Sequence, residues 1–132
     1  MDRSTPTQEK TTYMLHKLIF LNLVICCFVN LINAGEKEIS LSWCSSMNGK
    51  QEYRTHYGTY ADCLTDEYAI EVEFDYKWKE SIGQAIHYAE ATNKKPAIAL
   101  ILRKKSRVDY LTQINNSLKY LNLDIPIFII NE

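Results

Sequence analysis

Apolar and polar positions divide the chain after residue 40 into strands and helices of distinct period. Residues 69–74 alternate with period two, which predicts a strand with an apolar core face and with Glu71 and Glu73 together on the opposite face. Residues 97–102 are continuously apolar, as is typical of a central strand covered on both faces. Between these strands, an apolar stripe at helical spacing over residues 76–93 predicts a core-facing helix.

Shorter patterns predict the remaining elements: a helix over residues 40–48, strands over residues 51–57 and 60–64, an amphipathic helix over residues 108–121 and a last strand over residues 127–130. Asp75 and Ser106 are the predicted N-caps of the two later helices. Three consecutive strands favour an antiparallel meander, and strands linked by helices join it in parallel. The sequence therefore predicts an α/β fold in which a mixed sheet is flanked by helices.

The first 34 residues differ from the rest and have the pattern of a secretory signal peptide. Lys17 precedes an apolar run, and the small residues Ala34 and Gly35 mark a junction. A start at Met14 would give a signal of more typical length. We expect cleavage after this segment to release residues 35–132 as one secreted or periplasmic domain without stable membrane association.

An uncleaved signal that anchors the protein in a membrane is the alternative. The apolar run is short for a membrane span and is interrupted by Asn22 and Asn30. Export with cleavage is therefore the interpretation that the pattern favours.

Two of the four cysteines, Cys44 and Cys63, fall in the predicted exported domain. In an oxidising compartment such a pair is a candidate disulfide, whose closed loop would stabilise the fold by about 3 kcal/mol. The alternative is that both are small buried apolar residues of a reduced protein.

The charge of residues 35–132 restricts the kinds of partner. This part carries 12 basic and 14 acidic residues, a net charge of −2. A protein that grips a nucleic-acid backbone unaided is usually basic on at least one face, and the concentrated positive stretch is Arg103-Lys104-Lys105 with Arg107. This balance disfavours a tight nucleic-acid binder but is compatible with an enzyme that makes transient contact and covers its acids with a metal ion.

Acidic residues on neighbouring strands predict a metal site. Asp62, near the end of one strand, and Glu71, in the middle of the next, can converge on one side of the sheet. Glu71 and Glu73, which share one side of their strand, are close enough to raise each other's pKa unless a cation, a basic side chain or water compensates them. Hard oxygen ligands suit Mg²⁺ or Mn²⁺, whereas zinc would require clustered Cys and His. The alternative is that Glu71 and Glu73 line a solvated strand face.

Together, Asp62, the segment Glu71-Val72-Glu73 and the Gln84-x-x-x-Tyr88 element on the following helix resemble the PD-(D/E)XK, or restriction-endonuclease-like, nuclease superfamily. The same stretch is similar to small exported bacterial proteins of unassigned function that carry this fold. The resemblance covers residues 40–131 and implies the element order αβββαβαβ. It implies that Asp62 and Glu71 bind the metal ion and that Gln84 and Tyr88 support the site and the nucleic acid.

One position departs from the superfamily pattern. Glu73 stands where these nucleases usually have a lysine, which positions the attacking water and stabilises developing charge. Lys77 or Lys79, at the start of the next helix, would supply the ammonium from a shifted position. Alternatively, Glu73 is a third metal ligand or the site is catalytically inactive.

The resemblance thus implies an exported, metal-dependent enzyme that hydrolyses phosphodiester bonds of nucleic acid. An inactive member of the same fold that serves as a secreted binding or scaffold module is the alternative. A third hypothesis is an interaction protein that uses its tyrosine-rich strand region, with Tyr53, Tyr57 and Tyr60.

Overall fold

The computed structural model describes the backbone of residues 6–131 and the side chains of residues 13–25 and 35–131. The elements in chain order are α1 (Pro6–Ser46), β1 (Lys50–Arg54), β2 (Tyr60–Leu64), β3 (Tyr68–Phe74), a 3₁₀ turn (Asp75–Lys77), α2 (Trp78–Thr92), β4 (Lys95–Leu102), α3 (Tyr110–Tyr120) and β5 (Ile127–Asn131). The chain divides into two compact units, residues 1–35 and residues 36–132.

The first unit contains the predicted signal peptide. Its backbone is helical from Pro6, and the described side chains from Tyr13 to Ile25 are exposed apart from a partly buried Val24. Among the described residues, no helix has the length and apolar character needed to cross a membrane. The predicted cleavage junction adjoins residues 26–34, which lie outside the described side chains. The signal peptide therefore stays a prediction.

The second unit is built on one five-stranded mixed sheet with the strand order β1-β2-β3-β4-β5. Strands β1, β2 and β3 are antiparallel neighbours. Strand β4 is parallel to β3, and β5 is parallel to β4. The predicted order of elements and the predicted mixed sheet are both confirmed.

Helices cover both faces of this sheet. On one face, the end of α1 packs against the apolar positions of β3 through Ile39, Trp43 and Cys44. On the other face, residues of α2 and α3 pack against Ile98 and Leu100 of β4. Glu71 pairs with Ile98 and Glu73 with Leu100 in the parallel register, so both glutamates lie on this second face. They are 4% and 5% exposed, which rules out the solvated-face alternative.

Both predicted helix caps are wrong, because Asp75 pairs with a residue distant in sequence and the Ser106 hydroxyl donates to the carbonyl of Val108 within its own loop. Asp75 makes no side-chain cap; its Oδ1 accepts a hydrogen bond from Nε of Arg103 at 2.8 Å. Helix α3 is capped by Asp109 instead of Ser106, since Asp109 Oδ1 accepts from the N–H of Thr112 at 2.9 Å.

Two predicted boundaries also change. The first strand ends at Arg54, three residues earlier than predicted, because the N–H of Thr55 donates to the carbonyl of Thr59 at 2.8 Å and closes a turn. Gly58 has a φ of 81° in this turn, a conformation that glycine adopts without strain. The helix predicted over residues 40–48 is the end of α1.

A disulfide between Cys44 and Cys63 joins α1 to β2, and both cysteines are fully buried. This confirms the predicted pair. Gly49 packs directly against the bridge: a Cβ atom at this position would lie 2.3 Å from Sγ of Cys63 and 2.7 Å from Sγ of Cys44. No larger residue fits there unless the bridge moves.

We expect Gly49→Ala to lower the free energy of unfolding of the oxidised protein by about 1–3 kcal/mol, because the new methyl group overpacks the bridge. Urea denaturation would measure this change. In a Cys44→Ala/Cys63→Ala background, where both sulfurs are gone, the cost of the same substitution should fall toward zero. Gly83→Ala is the matched control, since nothing lies within 4 Å of its new Cβ and alanine favours the helix. Equal costs of Gly49→Ala in both backgrounds would contradict this account.

Candidate functional site

Asp62 lies where β2 and β3 separate. The ladder between these strands consists of the pairs Cys63 with Ile70 and Leu64 with Ala69. Beyond it, the N–H of Val72 donates to Asp62 Oδ2 at 2.8 Å, so a side chain supplies the acceptor for that backbone group. This hydrogen bond fixes the Asp62 carboxylate beside β3.

The carboxyl groups of Asp62 and Glu71 lie within hydrogen-bonding reach of each other. Burial raises the pKa of Asp62, although the hydrogen bond from Val72 opposes this rise. Burial also raises the pKa of Glu71, and repulsion by Asp62 and then by Glu73 raises it further. No group in the described chain donates a hydrogen bond to the buried Oε2 of Glu71. The pair therefore requires a shared proton or a cation.

A second pair of acids holds a lysine at the end of β3. Nζ of Lys77 lies 3.1 Å from Oε1 of Glu73 and 3.1 Å from Oε2 of Glu36. Burial and the contact with Glu36 raise the pKa of Glu73 to about 7, while Lys77 and the N–H of Phe74 counteract this rise. Burial alone would lower the pKa of Lys77, but its hydrogen bonds to both glutamates outweigh this and raise it. Lys77 is thus an ammonium held between Glu73 and Glu36 at the end of β3.

The Gln-x-x-x-Tyr element of α2 borders the same carboxyl pair. The hydroxyl of Tyr88 donates to Oε1 of Gln84 at 3.2 Å. Burial raises the pKa of Tyr88 to about 12, with contributions from the nearby Glu71 and Asp62. Tyr88 therefore stays neutral as a hydrogen-bond donor beside the acids.

Glu36 was not predicted from the sequence, because it lies 41 residues before Lys77 and directly after the predicted signal peptide. No spacing rule connects a residue of α1 with the end of β3, so its role emerges from the tertiary structure alone.

The structure also distinguishes between the two candidate lysines. Lys77 contacts the acids, whereas Nζ of Lys79 lies 5.8 Å from the ring centroid of Trp78.

The predicted metal triple of Asp62, Glu71 and Glu73 does not form a cluster. Within the residues that the structure describes, no three His, Cys, Asp or Glu side chains are arranged to hold a metal ion. Glu73 is engaged by Lys77 and by the backbone N–H of Phe74. Asp62 and Glu71 remain, and two carboxylates with water suffice for Mg²⁺. The buried Oε2 of Glu71, which lacks a donor, fits a cation ligand.

Comparison with known proteins gives one informative similarity. No protein-family model matches the chain, and no solved structure matches it. The chain is similar to a putative KilA-N domain-containing protein of Acanthamoeba polyphaga mimivirus, with 32% identity over 93 residues. The match covers 70% of this chain but 22% of the viral protein. The chain thus spans about a fifth of this relative's length, which is too little to assign a family.

The raised pKa values of Glu71 and Glu73 predict that the metal-free protein loses stability as the pH rises. Their folded-state values exceed the unfolded value of about 4.3, so the folded protein binds more protons than the unfolded chain. Their contribution to stability is complete below the unfolded pKa. The contribution of Glu73 is lost as the pH rises through about 7, and that of Glu71 is lost as the pH rises further toward its higher pKa. Between pH 6 and 9 we expect the free energy of unfolding to fall by more than about 1.4 kcal/mol, the loss due to Glu73 alone, because Glu71 adds to it.

Urea denaturation at several pH values in EDTA tests this dependence. Glu71→Gln, which cannot ionise, should flatten the alkaline part of the profile. Glu80→Gln, at an exposed position in the first turn of α2, is the matched control and should follow the unmodified protein. An alkaline decline that persists unchanged in Glu71→Gln would contradict the assignment.

Proposed function

We propose that residues 36–132 form a nuclease-like domain that hydrolyses phosphodiester bonds with Mg²⁺ or Mn²⁺. The contact between the carboxyl groups of the partly buried Asp62 and the buried Glu71 carries this proposal, because Glu71 Oε2 has no donor in the described chain. Such a pair has the charge and the ligand type that a hard divalent cation prefers. When bound, the metal ion would polarise the phosphodiester and offset negative charge on the departing oxygen.

Lys77 would stabilise the negative charge that develops on the phosphate. It takes the part that the nuclease superfamily gives to a lysine at the position of Glu73, and it reaches the site from the turn after β3. Its two 3.1 Å contacts, with Glu73 and Glu36, fix the ammonium before substrate binds. A preorganised charge of this kind is worth more than a mobile one, because no reorganisation is needed during the reaction.

Glu73, Gln84 and Tyr88 would act by positioning. Glu73 holds Lys77 and is not required as a third metal ligand. Tyr88 offers a neutral hydroxyl beside the carboxyl pair, and Gln84 accepts its hydrogen bond and orients it. Their arrangement supports the role that the resemblance implies, in which these residues support the site and the nucleic acid.

A binding module of the same fold without catalytic activity is the second candidate function. Glu73 at the usual lysine position favours it. The exposure of Tyr53, Tyr57 and Tyr60 in and beside the β1–β2 hairpin also favours it, since exposed tyrosines are frequent in protein interfaces. Export by the predicted signal peptide is compatible with either function.

Cleavage of labelled DNA and RNA by the purified full chain tests the enzymatic proposal. We expect cleavage with Mg²⁺ or Mn²⁺ and none in EDTA. Asp62→Asn should abolish it, because the amide still accepts the hydrogen bond from Val72 but loses the charge that binds metal. Lys77→Met should lower the rate by about 10²–10³-fold. Asp66→Asn, at an exposed turn position, is the matched control and should leave the rate unchanged.

Two results would refute the enzymatic proposal. One is full activity of Asp62→Asn, and the other is cleavage that persists in EDTA. Calorimetric titration with Mn²⁺ separates the two candidate functions further, since metal binding should require Asp62 and Glu71. Tight nucleic-acid binding without metal binding and without cleavage would favour the inactive module.

A further inference from the structure

Basic side chains concentrate at one end of the sheet. Parallel strands end at the same edge, and here Phe74 at the end of β3 pairs with Ile101 near the end of β4. The segment after β4, residues 103–107, contains four basic residues in five positions: Arg103, Lys104, Lys105 and Arg107. We call this segment the basic loop. It leaves the sheet at the edge where Glu73 and Lys77 lie.

Arg103 anchors the start of the basic loop to the segment after β3. Its Nε lies 2.8 Å from Oδ1 of the buried Asp75, and its guanidinium carbon lies 4.3 Å from the ring centroid of Tyr76. A charged hydrogen bond to a carboxylate and a cation–π contact together restrict where the guanidinium can go. The basic loop therefore has a defined position relative to Glu73, two residues before Asp75.

The ring of Tyr76 connects the basic loop with the candidate site. Nζ of Lys77 lies 5.9 Å from the centroid of this ring, which Arg103 also contacts. Lys77 in turn contacts Glu73. Positively charged side chains thus run from Arg103 of the basic loop, past the ring of Tyr76, to Lys77 beside the buried Glu73.

The outer residues of the basic loop are available for a ligand. Lys104, Lys105 and Arg107 are exposed, and no carboxylate in the described part of the chain lies within ion-pair distance of them. At the opposite end of β4, by contrast, Lys95 pairs with Glu67 at 2.9 Å, and Lys94 donates to the carbonyl of Asp66. The lysines at the start of β4 thus have acceptors within the protein, whereas Lys104 and Lys105 after its end have no carboxylate partner in the described chain.

We propose that the basic loop binds the phosphodiester backbone of the nucleic acid on which the candidate site acts. The proposal rests on the proposed function for its choice of polyanion. The second unit has a net charge of −2, so attraction of a polyanion must come from a local concentration of positive charge. Unpaired lysines and arginines that displace counterions from phosphates provide such attraction without base contacts.

Fluorescence anisotropy with a labelled oligonucleotide, single-stranded and as a duplex, tests the proposal. The full chain carrying Glu71→Gln is titrated in EDTA, so that no cleavage competes with binding. Lys104→Ala/Lys105→Ala on this background should weaken binding at least about 10-fold at low salt. It should also reduce the slope of log K against log salt by about one for each phosphate that the variant no longer neutralises.

Lys94→Ala/Lys95→Ala is the matched control, since it removes two positive charges from the opposite end of β4. We expect its affinity and salt slope to equal those of the parent protein. Equal losses in both double variants would show a general charge effect and overturn the proposal. A loss confined to Lys94→Ala/Lys95→Ala, or no binding by the parent, would overturn it as well.

The outcomes also separate this proposal from the proposed function. Binding that depends on the basic loop, in a protein that cleaves nothing in any metal, would leave the loop assignment standing and remove the enzyme. Metal-dependent cleavage with the same KM in the Lys104→Ala/Lys105→Ala variant would leave the enzyme standing and remove the loop assignment.

Discussion

The contact between the carboxyl groups of Asp62 and Glu71 determines what the rest of the second unit must provide. Glu71 is buried and Asp62 is partly buried, so the two carboxylates repel each other with little hydration, and a proton or a cation is needed to offset the repulsion. The protein offers the N–H of Val72 to Asp62, but no donor in the described chain reaches Oε2 of Glu71. The pair therefore takes up a proton, as its raised pKa values indicate, and under the proposed function a metal ion would replace that proton.

Lys77 does not neutralise the Asp62–Glu71 pair, because its ammonium pairs with other acids. Its ammonium is shared by Glu73 and Glu36, while Asp62 and Glu71 have no ion pair with a basic side chain in the described chain. A fold selected for stability alone would replace such a group of acids with apolar residues. Under the proposed function, a divalent cation would neutralise the charge on Asp62 and Glu71, and the loss of stability from these acids would be the cost of the metal site.

The sequence predicted the sheet well because its strands differ in periodicity. The continuous apolar run of β4 follows from its burial on both faces. The alternation over residues 69–74 correctly indicated a strand, although its polar positions, Glu71 and Glu73, are buried too. The acids Asp62 and Glu71 were predicted to converge, and they do. Glu36 was missed and the cap at Asp75 was wrong, since their outcome depends on partners distant in sequence. The cap at Ser106 was wrong because the nearby Asp109 caps α3 instead. Local patterns do not encode whether Asp75 pairs with Arg103 or with its own helix.

Strand topology explains why acidic residues of the candidate site and basic residues of the loop lie near each other. Because β4 is parallel to β3, the two chains leave the sheet at one edge, and the residues after each strand become neighbours there. Asp75 and Tyr76 after β3 then meet Arg103 after β4. An antiparallel β4 would have carried the basic loop to the opposite edge. The parallel crossover through α2 is thus what allows a weakly acidic domain to present positive charge beside its own buried carboxylates.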